Sequence, residues 1–207
     1  KKKKKKKNII KKKNKKKFIY ENKKKKKKKA KIIAVSKTFA FEQIKPLIEY
    51  GHIHFGENKV QEATDKWTKT KNENPNIQLH LIGKLQTNKV KHAVKLFDYI
   101  HSVDNLKLAK KISDEQKKIN KKLKIFIQVN TGLEEQKSGI DKKKLKELYD
   151  ECKDLDLNLI GLMCIPPVDE DASNHFIEMK SLANELNLTE LSMGMSADYL
   201  EAIKCGS

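Results

Sequence analysis

The stretch "KIIAVSKTFAFEQIKPLIEYG", residues 31–51, decides the fold. Its first part, Lys31–Lys37, puts Ile32, Ile33, Ala34 and Val35 in one unbroken apolar run. That composition suits a short strand buried on both faces, as in a parallel sheet. Its second part, "FEQIKPLIEYG", spaces Phe41, Ile44, Leu47 and Ile48 at helical intervals and closes on Gly51. A strand that feeds directly into an amphipathic helix is one βα unit.

Six more such units follow. "HIHFGEN" precedes "KVQEATDKWTKTKNE", and "IQLHLIGKLQ" precedes "TNKVKHAVKLF". "DYIHSVD" precedes "NLKLAKKISDEQKKINKK", and "LKIFIQVNT" precedes "DKKKLKELYDECKDL". "LNLIGLMCIPP" precedes "ASNHFIEMKSLANELN", and "TELSMGM" precedes "SADYLEAIKCGS". Seven repeats with no break in order predict an α/β protein of the (β/α)8 TIM-barrel kind rather than a doubly wound sheet. A closed barrel needs eight strands, so the chain is expected to lack the last one.

The net charge of +20 over 207 residues resembles that of a nucleic-acid binder, but its distribution argues otherwise. Residues 1–30 hold 20 Lys and one Glu, or +19, while residues 31–207 hold 27 Lys and 26 acids, or +1. The body is therefore almost neutral. Residues 1–30 form a lysine-rich low-complexity segment, expected either to be solvated and disordered or to carry no readable sequence. Residues 31–207 form the barrel domain. Binding of nucleic acid or an acidic membrane through the basic segment is one alternative function. The chain has no arginine, the preferred residue for bidentate phosphate recognition, which weakens any specific nucleic-acid reading.

Cys152, Cys164 and Cys205 are odd in number and have no metal or CxxC spacing, which suits buried thiols in a reducing compartment. No apolar run reaches the roughly 18 residues of a membrane span, and the basic N-terminus lacks the apolar core of a signal peptide. The expectation is a cytoplasmic protein.

In a parallel barrel, chemistry collects at the C-terminal ends of the strands. There the seven runs end on Lys37, Glu57 and Asn58, Lys84 and Gln86, Ser102 and Asp104, Asn130 and Thr131, Met163 and Cys164, and Met193, Met195 and Ser196. Lys37 stands out. A lysine ending an apolar strand is expected to lose hydration, which lowers its pKa and makes the amine nucleophilic toward aldehydes. The bland alternative is a lysine that snorkels to the rim. Ser196 is expected to cap the helix that follows, leaving free N–H groups suited to a phosphate, although a plain cap explains the pattern equally well. His80, His92 and His101 lack ligand spacing and read as core or surface residues, and Trp67 as helix packing.

"AVSKT", "HFGENKVQEA", "LHLIGKLQTNKVK", "HSVD", "IQVNTGLEEQKSGI", "GLMCIPP" and "LSMGMSADYLEAI" occur in that order over residues 31–207. Together they closely resemble the pyridoxal phosphate homeostasis protein family. The resemblance implies a barrel similar to the N-terminal domain of alanine racemase. It further implies pyridoxal 5′-phosphate held as an imine on Lys37, with Ser196 near the phosphate and with Asn58 and Met195 lining the cofactor. Family members continue into a final strand with an Arg-Ile-Gly motif, which has no counterpart in this sequence.

The function implied is a cofactor carrier in intracellular homeostasis, without turnover of its own. Its partners would be pyridoxal phosphate and, through it, apo-enzymes that use the cofactor, with no specific nucleic acid and no membrane. With no extra domain of the kind racemases use to dimerise, a monomer is expected. The alternative is a pyridoxal-phosphate-dependent racemase or decarboxylase. A racemase needs a second acid or base across the cofactor, and no residue in the sequence stands out for that role.

Overall fold

The computed structural model describes residues 30–207 apart from 133, 135 and 136. The expected order or disorder of residues 1–30 therefore lies, save for Ala30, outside the described residues. Seven strands fall where the apolar runs lie: β1 (Ala34–Val35), β2 (His54–Glu57), β3 (Gln78–Leu81), β4 (Tyr99–Val103), β5 (Lys124–Asn130), β7 (Asn158–Met163) and β8 (Glu190–Ser192). An additional two-residue strand, β6 (Ile140–Asp141), pairs with β5. Helices α1 (Phe41–Glu49), α2 (Val60–Glu73), α3 (Val90–Leu96), α4 (Leu106–Lys118), α5 (Leu145–Asp154), α6 (Ala172–Glu185) and α7 (Tyr199–Cys205) follow in alternation.

Every strand pairing is parallel, and the order is β1-β2-β3-β4-β5-β7-β8. All C-terminal strand ends thus lie at one mouth of the sheet and all N-terminal ends at the other. The sheet is curled. Strands β4 and β8 are three positions apart along the order, roughly 14 Å in a flat sheet at about 4.8 Å per strand. Yet His101 Nδ1 on β4 and Ser192 Oγ on β8 are 2.7 Å apart. Only a rolled sheet with both side chains on its concave face brings them together.

The strand register sorts the side chains. Partners in a parallel pair share a face, and faces alternate along each strand. Ala34, Phe55 and Leu79 lie on the convex side; Val35, Gly56, His80 and Tyr99 lie on the concave side. The convex side carries the main core. Phe55, Leu79, Leu81, Ile100, Ile125 and Ile127 are fully buried there with Trp67, Ala93 and Ile112 from the helices. A smaller cluster of Tyr99, Phe126 and Met163 fills the concave side. Residues 31–207 form one compact unit. This is the barrel-type architecture the repeats predicted, and among the described residues no strand pairs β8 with β1.

Candidate functional site

Lys37 leaves the end of β1 within a tightly specified backbone. The ladder continues one residue past β1, with Ser36 N–H donating to the Gly56 carbonyl at 2.9 Å. The Ser36 hydroxyl donates to Glu57 Oε1 at 2.8 Å. The same oxygen accepts from Trp67 Nε1 at 2.8 Å and from Lys66 Nζ at 3.0 Å, and Lys66 also donates to the Ser36 carbonyl at 2.7 Å. Glu57 is wholly buried, and its Oε1 gathers all three donors, the Lys66 ammonium among them, while Oε2 has no hydrogen-bond partner among the described residues. On the other side of Lys37, Thr38 has φ of 67°, a left-handed conformation that a β-branched residue rarely adopts. Lys37 therefore sits between a peptide fixed by three elements and a strained turn.

The expectation that Lys37 is desolvated is corrected: its side chain is exposed. Among the described residues β1 is an edge strand with β2 on one side and no neighbour on the other, so little covers the lysine. Alternation from Val35 puts Lys37 on the concave side, at the C-terminal mouth.

Asn58 follows β2 at the same mouth and is half-buried. Its backbone is approached closely by the turn after β3. A Cβ on Gly83 would lie 2.4 Å from the Asn58 carbonyl oxygen and 2.7 Å from its Cα. Glycine is required there by space, not by φ.

Met195 and Ser196 follow β8 and are both exposed. Helix α7 begins later than expected. Its N-cap is Asp198, not Ser196, and the Asp198 carboxylate accepts from the Met195 N–H. The Asp198 side chain turns back to this preceding N–H and makes no capping bond into α7 itself. The preceding Gly194 has φ of 89°, and a Cβ there would lie 2.5 Å from the Ala202 Cβ, so the turn is folded tightly on α7. Among the described residues the N–H groups of Ser196 and Ala197 find no hydrogen-bond acceptor, which leaves two adjacent donors at the mouth.

Three histidines lie on the concave side below this mouth. His54 Nδ1 and His80 Nε2 share a hydrogen bond at 3.0 Å, and His80 Nδ1 and His101 Nε2 share one at 2.9 Å. His80 stacks on Tyr99 with ring centroids 4.0 Å apart, and His101 stacks on Phe126 at 4.3 Å. Burial, with the neighbouring histidines and Lys124 adding to it, pushes the His80 pKa down to about 2. Burial alone takes His101 down to about 3. Both are neutral imidazoles. The reading of His80 and His101 as core residues holds, and His92 is exposed on α3.

The sequence reading named Glu57 as a polar residue ending a strand run but missed its latch with Lys66, and it gave His54 no role. The alternation in "HIHFGE" carried a signal, since His54 and Glu57 have opposite parity and so must face different layers.

Cys152 and Cys164 are buried free thiols, each pushed up to about 12, chiefly by burial. Among the described residues no cluster of three or more His, Cys, Asp or Glu is placed to hold a metal ion. Among them, too, no helix is long and apolar enough to cross a membrane.

The family profile described as "Alanine racemase, N-terminal domain" matches residues 19–206. Proteins named pyridoxal phosphate homeostasis protein from Pasteurella multocida and Aquifex aeolicus are 37% and 38% identical over 188 residues. In each case the match covers 86% of this chain, with 81% and 82% of the relatives. The chain belongs to the pyridoxal phosphate homeostasis protein family. PipY of Synechococcus elongatus, solved without pyridoxal phosphate, superposes with a TM-score of 0.79 at 35% identity, covering 84% of this chain and 86% of that one. The form of PipY with pyridoxal phosphate bound gives 0.76 at 32% identity, over 91% and 92%. Alanine racemase of Clostridium difficile shares the fold at 16% identity, with a TM-score of 0.65.

Proposed function

We propose that this protein binds pyridoxal 5′-phosphate as a Schiff base on Lys37 and serves in intracellular supply and buffering of that cofactor, without turnover of its own. The observation that carries the reading is the setting of Lys37: an accessible amine at the C-terminal mouth whose preceding peptide is held by Glu57, Lys66 and Trp67. The names of the relatives, and the PipY structure with pyridoxal phosphate, support the choice of aldehyde.

The residues present fit the group. Lys37 supplies the amine. Asn58, its backbone held against Gly83, would offer an amide to the cofactor ring, and Met195 would offer it an apolar side chain. Ser196, with its own N–H and that of Ala197, supplies donors for the phosphate. Asp198 takes up the Met195 N–H and keeps that donor from the anion. When bound, the cofactor supplies an aldehyde that condenses reversibly with amines, and reversibility is what a carrier needs.

Residues 31–207 constitute the cofactor-binding domain. The protein acts as a monomer in the cytoplasm and delivers the cofactor to apo-enzymes that use it, with no specific role in binding nucleic acid or membranes. The test is a spectroscopic titration with pyridoxal phosphate alongside steady-state assays on alanine and ornithine. Saturable binding lost in Lys37→Ala, with no sustained turnover, supports the carrier. Turnover abolished by the same substitution would replace it with an amino-acid racemase or decarboxylase.

A further inference from the structure

The three histidines and Ser192 connect the two mouths of the sheet. His54 is the first residue of β2, at the N-terminal mouth, and is half-buried. His80 and His101 each lie third in their strands, at mid-depth. Ser192 is the last residue of β8, at the mouth where Lys37 emerges. Successive contacts of 3.0, 2.9 and 2.7 Å join them without a gap. Each inner ring uses one nitrogen toward each neighbour, so both of its nitrogens are committed to the chain.

That wiring has a consequence fixed by valence. A neutral imidazole carries one N–H and one lone pair. His80 and His101 must therefore point the same way along the chain. Either each donates from Nδ1 toward Ser192, or each donates from Nε2 toward His54. Neither ring can change alone without setting two donors or two lone pairs against each other. The stacks on Tyr99 and Phe126 oppose ring flips.

We propose that His54, His80, His101 and Ser192 form a reversible one-proton relay between the N-terminal mouth and the cofactor end of β8. In the forward direction a proton binds His54 at Nε2, and the Nδ1 proton of His54 passes to His80 Nε2. The Nδ1 proton of His80 passes to His101 Nε2, and that of His101 passes to Ser192 Oγ. The hydroxyl proton of Ser192 leaves to solvent water at the C-terminal mouth. One proton enters and one leaves, with no change of oxidation state, and both inner rings end as Nε2–H tautomers. The return is the same sequence reversed, so the chain holds one of two polarities and does not conduct continuously.

A two-state relay suits a carrier, and this link rests on the function proposed above. Condensation of the Lys37 ammonium with an aldehyde yields an imine, one water and one proton, and hydrolysis takes the proton back. The surroundings favour concerted transfer over a trapped imidazolium. Lys31, His52 and Lys124 oppose a cation at His54, with only Asp98 favouring it; Lys31 and Lys124 likewise oppose one at His80. Lys124 is held in place by donating to the Tyr99 hydroxyl at 2.8 Å. His101 faces Phe126, His80 and Ser192, and burial alone keeps it neutral.

The experiment is nitrogen NMR of the full chain with 15N-labelled histidine, assigned by single substitutions and followed through the titration of His54. The relay predicts that the ring nitrogens of His80 and His101 move together between the pyrrole-like and pyridine-like ranges, with the midpoint of His54. Neither ring should gain a net proton. His54→Gln should abolish the response. Ring shifts of His80 and His101 that stay flat while His54 titrates would overturn the proposal.

A second measurement follows condensation with pyridoxal phosphate by absorbance after rapid mixing. His54→Gln should slow it by about tenfold, short of the ~10²–10⁴ of a dedicated acid or base because water at the mouth remains an alternative. An unchanged rate beside intact coupling would refute the service to loading. A wild-type chain that forms no condensation product would refute the cofactor reading instead, while the ring nitrogens still decide the relay.

Discussion

Acidification should unfold this protein through its two buried imidazoles. His80 and His101 have folded-state pKa values of about 2 and about 3, against about 6.5 for an unfolded-chain histidine. Between those limits the unfolded state binds more protons than the folded one. Stability therefore rises with pH through that window and falls as pH drops below 6.5. Between pH 7 and 5 each group withdraws about 2 kcal/mol, since one pKa unit corresponds to about 1.4 kcal/mol. Both rings stay neutral at pH 5, so the figure does not depend on how low their pKa values lie. The joint loss of about 4 kcal/mol is a large part of the roughly 5–15 kcal/mol that holds a domain together.

The assay is urea unfolding at pH 5, 6 and 7 for the wild type and for His80→Asn and His101→Asn. With a slope of about 2–3 kcal/mol per molar, the wild-type midpoint should fall by roughly 1.3–2 M across the range. Each variant should lose about half of that pH dependence, whatever its absolute stability. A variant with the full wild-type dependence would refute the reasoning, because it would mean that the substituted ring is charged in the folded state or is not buried.

Three other expectations follow from the same geometry. Gly83→Ala must displace the Asn58 backbone, since 2.4 Å to a carbonyl oxygen leaves no room. It should cost about 1–3 kcal/mol in unfolding experiments and weaken pyridoxal phosphate binding along with stability. Lys66→Met strips the cation from wholly buried Glu57 and should cost about 3 kcal/mol; a loss within error of zero in chemical denaturation would mean that Ser36 and Trp67 suffice. Cys152 and Cys164, with thiols near 12, should resist a water-soluble disulfide reagent at pH 8 in the native state, leaving half-buried Cys205 as the fast-reacting thiol among the three; rapid modification of all three would contradict the burial.

The layered α/β fold was readable because it rests on a repeated composition. Each apolar run of four to seven residues became a parallel strand, and each 3.6-residue pattern became a helix. What escaped the sequence depends on register. The β6 bridge is two residues long and has no apolar run to announce it. Ser196 reads as a helix cap by residue type, yet Asp198 two positions on has the same preference and takes the place. The exposure of Lys37 follows from β1 having a neighbour on one side only among the described residues, which no local pattern encodes. The histidine chain is the extreme case: residues 54, 80, 101 and 192 touch because the sheet rolls, and Ser192 is 91 positions from its partner. The places of Lys37 and Asn58, by contrast, were legible from position, at the ends of β1 and β2 where a parallel barrel exposes its polar residues, while their roles toward a cofactor came from the family resemblance.

The most direct test of the central claim is borohydride reduction of the chain in the presence of pyridoxal 5′-phosphate, followed by peptide mass mapping. The account predicts a pyridoxyl group on the peptide containing Lys37, at one per chain and absent in Lys37→Ala. Label spread across the many surface lysines, with no enrichment at Lys37, would contradict it.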